Sequence, residues 1–169
     1  MVNGLPLIIT VAGIGAELTK KNPPYLPSTP EEIVEEAKKV FKLGATVFHL
    51  HARDSKGRPT LRSSLLRPLI RKIRKETGLI IQISTGGALS DSYAQRLKTL
   101  DCDVDMGSLT LGSVNFGNDI FLNPYPLILR LAEKMKKKKI KPELEIFDAA
   151  MAQTAVKLFE KGVLTKPLH

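Results

Sequence analysis

The fold is decided by residues 48–54, Phe48-His49-Leu50-His51-Ala52-Arg53-Asp54, which include two of the three histidines in the chain. An apolar run leads into this stretch at residues 44–48 and a polar segment follows at residues 54–59, a pattern that predicts the end of a buried strand. Residues two apart in a strand face the same side, about 6.6 Å apart at Cα. Both imidazoles should therefore face one point, where they could share a metal ion at Zn–N distances of about 2.0–2.1 Å. The pattern leaves open that they are simply two polar side chains on a solvent-facing strand.

Length and composition place the chain among ordinary globular domains. It has 169 residues, of which 43% are hydrophobic and 25% are charged, enough for one domain of common size. The single cysteine, Cys102, excludes a disulfide framework and a four-cysteine metal site. Neither a signal-peptide pattern nor an apolar run of 18 residues is present. We therefore expect a cytoplasmic protein that does not span a membrane.

The net charge of +9 permits a nucleic-acid partner or an anionic substrate. Much of this charge lies in residues 71–75 and 136–139, on two predicted amphipathic helices, where a solvated helix face is the simpler explanation. Aromatic residues make up only 5% of the chain and do not alternate with the lysines. A platform on which single-stranded bases stack is therefore not expected, and a basic nucleic-acid-binding domain remains the weakest alternative.

Strands and helices alternate five times along the chain, which predicts a parallel α/β sheet. A helix is expected to begin at Pro30, with Thr29 as its N-cap and Glu32 completing a capping box, and Ser90 is expected to cap the third helix. No G-x-G-x-x-G motif opens a helix, so a barrel of β/α units is favoured over a doubly wound sheet. The predicted strands are residues 5–11, the histidine strand, 79–83, 104–109 and 144–147, and a long loop is predicted at 110–124.

Polar residues follow all five predicted strands, at the edge where function gathers in parallel α/β folds. Ser84, Thr85 and Asp148 could each be helix caps instead. Gly86 and the glycine after it would let a backbone approach a ligand closely or bind an anion. Glu145 lies in an apolar strand, where a carboxylate needs a partner, a metal ion or a raised pKa for proton transfer. The candidate site residues are Glu17, His49, His51, Ser84, Thr85, Gly86, Thr110, Ser113, Asn115, Glu145 and Asp148.

Six motifs occur in one order along the chain: GAELT at 15–19, FHLHARD at 48–54, GRPT at 57–60, STGG at 84–87, SLTLGSVNF at 108–116 and PELEIFD at 142–148. Together they resemble the beta-keto acid cleavage enzyme family, over residues 6–169. Members of that family are zinc-dependent TIM barrels that convert a β-keto acid and acetyl-CoA into acetoacetate and a new acyl-CoA by retro-Claisen cleavage. The resemblance implies that His49 and His51 are zinc ligands, that Glu145 is catalytic, and that the substrate is bound by Glu17, Ser84, Thr85, Gly86, Thr110 and Asn115.

The family's chain is longer than this one, and the resemblance therefore implies one incomplete (β/α) barrel domain at residues 1–169 that lacks strands six to eight. Those strands carry a glutamate zinc ligand, an aspartate base and an arginine that have no counterpart here, although Glu17 or Glu145 could act as a third ligand. The chain also has Ala150-Met151 where the family usually has Gly-His. Open sheet edges would favour a homo-oligomer or a complementing chain. The alternative is a catalytically inactive remnant.

Overall fold

The protein is described by a computed structural model covering residue 4, residues 6–21 and residues 23–169. Its helices are α1 (Pro30–Lys42), α2 (Ser63–Glu76), α3 (Tyr93–Thr99), α4 (Tyr125–Lys138) and α5 (Ala149–Glu160). Its strands are β1 (Thr10–Ala12), β2 (Val47–Leu50), β3 (Ala52–Arg53), β4 (Pro59–Thr60), β5 (Ile80–Ile83), β6 (Met106–Thr110), β7 (Val114–Phe116), β8 (Asp119–Phe121) and β9 (Lys141–Glu145). None of the helices in these ranges combines the length and hydrophobicity that a membrane crossing requires.

Five strands form one parallel sheet in the order β1-β2-β5-β6-β9. The spatial order follows the chain and does not reverse within the described residues. A doubly wound sheet reverses its order at a switch point, whereas successive units of a barrel do not. The predicted α/β fold with a parallel sheet is thus observed, and its strand order differs from that of a doubly wound sheet.

One side of the histidine strand packs into the hydrophobic core and the other does not. Phe48 and Leu50 on β2 are fully buried in the hydrophobic core, whereas His49 is half-buried. Since side chains alternate along a strand, His49 faces away from that core. His51 follows directly after β2 and is also half-buried. The expectation that one side of this strand is core is confirmed.

Two predicted strands differ clearly from the structure in their bounds. Residues 5–11 were expected to form a strand buried on both faces, but β1 begins at Thr10, and Leu7, Ile8 and Ile9 are exposed; position 5 lies outside the described residues. The exposure follows from the position of β1 at the edge of the described sheet, with β2 as its neighbour. The strand predicted at 144–147 is β9, and Ile146 and Phe147 lie beyond it, exposed.

The third helix is capped by Ser92 and not by Ser90. Ser92 Oγ accepts a hydrogen bond from the Gln95 backbone N–H, and the Gln95 side chain accepts one from the Ser92 N–H. Only Ser92 has a glutamine three residues ahead to complete this capping box. The segment predicted as a long loop contains the antiparallel hairpin β7–β8. The cap predicted at Asp148 is present, with its side chain accepting from Met151.

We expect the start of α1 to make stability depend on pH. Thr29 and Glu32 form the predicted capping box, and Glu32 also pairs with Lys20. These contacts, first the Lys20 hydrogen bond and then backbone N–H groups, lower the pKa of Glu32 from 4.5 to about 2. The carboxylate therefore stabilises the fold above about pH 4.5, and this contribution is lost as the pH falls towards 2.

Glu32→Gln should lower the urea midpoint at pH 7 and flatten its decline between pH 4.5 and 2. Thr29→Ala, which removes the cap, should cost about 1 kcal/mol of unfolding free energy. Urea unfolding at several pH values would measure both effects. If the urea midpoint of the Glu32→Gln variant falls as steeply between pH 4.5 and 2 as that of the unchanged protein, the proposed origin of the pH dependence is contradicted.

Candidate active site

A cavity of about 460 Å³ lies at the carboxyl ends of the parallel strands. Each strand end reaches it: the loop after β1, the end of β2, the loop after β5, and the ends of β6 and β9. The predicted site residues that line it are Glu17, His49, His51, Ser84, Gly86, Thr110, Asn115 and Glu145. Residues that sequence reasoning did not assign also line it, among them Ser108, Phe121 and Phe147.

The two histidines converge in this cavity. His49 Nε2 and His51 Nε2 are 3.2 Å apart. Two nitrogen ligands of one tetrahedral zinc ion, each about 2.05 Å from the metal, lie about 3.3 Å apart. The spacing of the pair therefore fits two ligands of a single metal ion.

Gln82 fixes the orientation of His49. It lies opposite His49 in the β2–β5 register, is fully buried, and accepts a hydrogen bond from His49 Nδ1 at 2.5 Å. Because an amide oxygen can only accept, Nδ1 carries the proton and Nε2 presents a lone pair to the cavity. Such a partner on the far nitrogen is common for metal-binding histidines. The available sequence signal was a lone polar residue within the apolar strand β5.

The imidazole of His51 is uncharged at neutral pH. Burial first, and then the electrostatic effects of the neighbouring His49 and Arg53, lower the pKa of His51 from 6.5 to about 3. A neutral imidazole is the form that binds a metal ion. Among the described residues, no cluster of three or more His, Cys, Asp or Glu side chains is arranged to hold a metal ion. The pair thus fits two ligands, and the described chain adds no third.

The loop after β5 places a hydroxyl and a compact backbone in the cavity. Ser84 Oγ accepts a hydrogen bond from the Gly86 N–H at 3.3 Å, which leaves the hydroxyl proton free to donate to a ligand. Gly87 has a φ of +67°, a left-handed conformation that favours glycine. The loop therefore offers a donor beside a backbone that a ligand can approach closely.

Thr85 does not line the cavity. Its hydroxyl donates to Ser108 O at 2.7 Å, and its backbone N–H donates to Ser108 Oγ at 3.1 Å. It is almost fully buried and points towards β6, since successive side chains alternate in direction. Its position does not support the predicted substrate contact and instead links two strand ends.

Thr110 and Glu145 form a hydrogen-bonded pair across the β6–β9 register, with Thr110 Oγ1 donating to Glu145 Oε2. Thr110 is buried and Glu145 is half-buried. The hydroxyl orients the carboxylate at the cavity wall. Asn115, by contrast, reaches the cavity from the β7–β8 hairpin and not from the sheet.

Arg53 holds the loop that carries Glu17. Its Nη2 donates to Gly15 O at 2.5 Å and to Leu18 O at 2.8 Å, on either side of Glu17. Arg53 is almost fully buried. Sequence reasoning placed this arginine in a motif but assigned it no role, because its acceptors lie more than thirty residues away.

Comparison with known proteins agrees with the motifs. Residues 6–169 match the family described as beta-keto acid cleavage enzyme. The chain is 41% identical over 165 residues to the 3-keto-5-aminohexanoate cleavage enzyme of Acetoanaerobium sticklandii, covering 96% of this chain and 60% of that protein. It is 39% identical over 165 residues to the 3-oxoadipate:acetyl-CoA acetyltransferase of Cupriavidus necator, covering 97% of this chain and 58% of that protein.

The fold also matches solved structures. The apo structure of ObcA superposes with a TM-score of 0.73 at 23% identity, covering 86% of this chain and 35% of that one. At that identity the likeness concerns the fold, an α/β architecture with a parallel half-barrel sheet. The chain spans about three fifths of the length of the curated relatives it matches. On the match over residues 6–169 and these identities, the chain belongs to the beta-keto acid cleavage enzyme family.

Proposed function

We propose that this chain supplies the histidine part of an active site that cleaves a β-keto acid with acetyl-CoA. The products would be acetoacetate and a new acyl-CoA. The observation that carries the proposal is the cavity in which two converging imidazoles meet Ser84 and Glu145. The names of the relatives agree, since one is a 3-oxoadipate:acetyl-CoA acetyltransferase and another a 3,5-dioxohexanoate:acetyl-CoA acetone transferase.

The reaction balances as an exchange of acyl partners. The bond between C2 and C3 of the β-keto acid breaks, and C2 bonds to the carbonyl carbon of the acetyl group. The coenzyme A sulfur passes from that acetyl group to the former C3 carbonyl. No oxidant or reductant is needed, and the proton removed from C2 needs a base within the cavity.

His49 and His51 would hold a zinc ion, with the remaining ligands coming from outside the described residues. When bound, zinc supplies Lewis-acid polarisation of a carbonyl oxygen. The free hydroxyl of Ser84 would donate a hydrogen bond to the substrate carboxylate. Glu145, oriented by Thr110, would hold or transfer a proton beside the substrate carbon.

The chain would act together with the part of the barrel that it does not contain. We propose that residues 1–169 form one incomplete (β/α) barrel domain, completed in a homo-oligomer or by a complementing chain. The exposed edge residues Leu7, Ile8 and Ile9 support this, because unpaired apolar edges favour pairing with another strand. The lack of a third metal ligand among the described residues favours the second candidate, a catalytically inactive remnant.

An acetoacetate assay separates these two candidates. Purified chain with zinc, acetyl-CoA and either 3-keto-5-aminohexanoate or 3-oxoadipate should release acetoacetate. Glu145→Gln should lower the rate by about 100-fold to 10,000-fold, the usual contribution of a proton-transfer group. Glu143→Gln is the matched control, because Glu143 lies two residues earlier on β9 but pairs with His169 outside the cavity. The absence of acetoacetate with both substrates would contradict completion of the site in a homo-oligomer, and would leave the remnant or a chain that needs a complementing partner.

A further inference from the structure

Arg96 is a buried cation that bridges two walls of the cavity. Its side chain is 3% exposed. Arg96 Nε donates to Thr85 O at 2.7 Å, Nη1 donates to Leu122 O at 2.8 Å, and Nη2 donates to Asn123 Oδ1 at 2.5 Å. Its guanidinium carbon lies 4.8 Å from the centroid of the Phe121 ring. One side chain on α3 thus contacts both the loop after β5 and the segment after β8.

These two segments carry residues that line the cavity. The loop after β5 holds Ser84 and Gly86, and the β7–β8 hairpin holds Asn115 and Phe121. The segments touch each other, since a Cβ added to Gly86 would lie 3.1 Å from Phe121 Cζ. Any change in their separation would therefore change the shape of the cavity.

The hairpin depends on such an anchor. β7 and β8 pair only with each other among the described strands, and an isolated two-stranded hairpin is marginally stable in water. Phe116 and Ile120 on it are half exposed or more. Its base is closed by the Asn123 N–H, which donates to Ser113 Oγ at 2.8 Å, and Asn123 is the residue that Arg96 binds.

The chemistry of the contacts requires arginine. Within the described part of the chain, no carboxylate forms an ion pair with Arg96 at 4.0 Å or less. Three neutral oxygens and an aromatic face replace the water that burial removes. A planar guanidinium can reach acceptors in two segments at once, whereas the ammonium of lysine is a compact point charge.

We propose that Arg96 is a positioning residue that sets the width of the cavity by holding the loop after β5 against the β7–β8 hairpin. That Arg96 holds these two segments together does not depend on what the cavity binds. Its consequence for substrate binding rests on the proposed function. In an active enzyme, Arg96→Lys would raise KM for the β-keto acid by about tenfold and change kcat by less than about twofold, the pattern of lost binding without lost chemistry.

Hydrogen exchange tests the structural part without any need for turnover. Arg96→Lys should speed amide exchange by about tenfold or more in residues 84–88 and 114–122, because hydrogen bonds to a charged group stabilise local structure. Asn123→Ala removes one of the two hydrogen bonds that Arg96 makes to the segment after β8 and none of those to the loop after β5. It should therefore speed exchange in 114–122 and leave 84–88 unchanged. If Arg96→Lys does not fold, Asn123→Ala still tests the contact between Arg96 and the hairpin.

Arg74→Lys is the matched control. Arg74 also joins a helix to a loop, with Nη2 donating to Asp103 O at 3.1 Å and to Asp105 Oδ1 at 3.0 Å, but it does not line the cavity. The Arg74→Lys variant should leave amide exchange in residues 84–88 and 114–122 unchanged. The proposal is overturned if Asn123→Ala leaves 114–122 as protected as before, or if Arg96→Lys speeds exchange equally along the whole chain.

Discussion

Replacing His49 with alanine is expected to lower the zinc affinity of this chain by more than about 100-fold. Loss of even an outer partner of a metal ligand costs roughly 10–100-fold in affinity, and His49 would be a direct ligand. The 3.2 Å separation of the two Nε2 atoms leaves His51 as one remaining nitrogen donor. Elemental analysis of zinc per chain and a competition titration against a chelating dye would measure the loss.

Two further variants sharpen this measurement. His169→Ala is the matched control, because His169 is the third histidine of the chain, lies outside the cavity and pairs with Glu143. It should bind zinc as the unchanged protein does. Gln82→Leu should weaken zinc binding by about 10–100-fold, because it removes the acceptor that keeps the proton of His49 on Nδ1. Equal zinc content in the His49 and His169 variants would show that the ion is held elsewhere.

Replacing Gly87 with alanine is expected to cost about 2–5 kcal/mol of unfolding free energy. A left-handed backbone costs a residue with a Cβ roughly 1–2 kcal/mol, and Gly87 has a φ of +67°. Its new Cβ would also lie 2.4 Å from Asp91 Oδ2 and 2.7 Å from Leu61 Cδ1. Relieving such overpacking typically costs about 1–3 kcal/mol more. Because Gly87 follows the loop that carries Ser84, ligand binding should weaken as well.

The variant Gly57→Ala separates the cost of the left-handed backbone from the cost of the close contacts. Gly57 has a similar φ of +72° but nothing within 4 Å of an added Cβ, so only the cost of the backbone conformation should remain. Urea unfolding of both variants would give the contact cost as their difference in free energy. Equal destabilisation would contradict a close contact at Gly87. Gly15→Ala, with open space and no positive φ, should leave the stability nearly unchanged.

Local patterns in the chain predicted most of the architecture. Alternation of apolar strands and amphipathic helices indicated a parallel α/β sheet, and the capping box at Thr29 placed the start of α1. The convergence of His49, on β2, with His51, directly after it, needed only the two-residue period of an extended chain. The ordered motifs indicated the family, and the comparisons confirm it.

The same local patterns were misleading where neighbours in space decide. The apolar run at residues 5–11 reads as a buried strand, yet Leu7 and Ile8 are exposed because β1 lies at an edge of the described sheet. Thr85 lies in the same motif as Ser84 but turns towards Ser108. Composition and spacing do not indicate which strands lie next to each other in the sheet. The edge position of β1 left Leu7 and Ile8 exposed, and the neighbouring strand end at Ser108 turned Thr85 inward.

By itself, the sequence determined the fold class, the family and the set of polar residues at the strand ends, because each of these depends on periodicity or on ordered motifs. Only the tertiary structure decided how those residues are held. Gln82 is 33 residues from the His49 that it orients, and Arg96 is 26 residues from Leu122. Such contacts form only when the sheet and its loops are assembled, since burial in the folded chain is what makes each polar group need that partner.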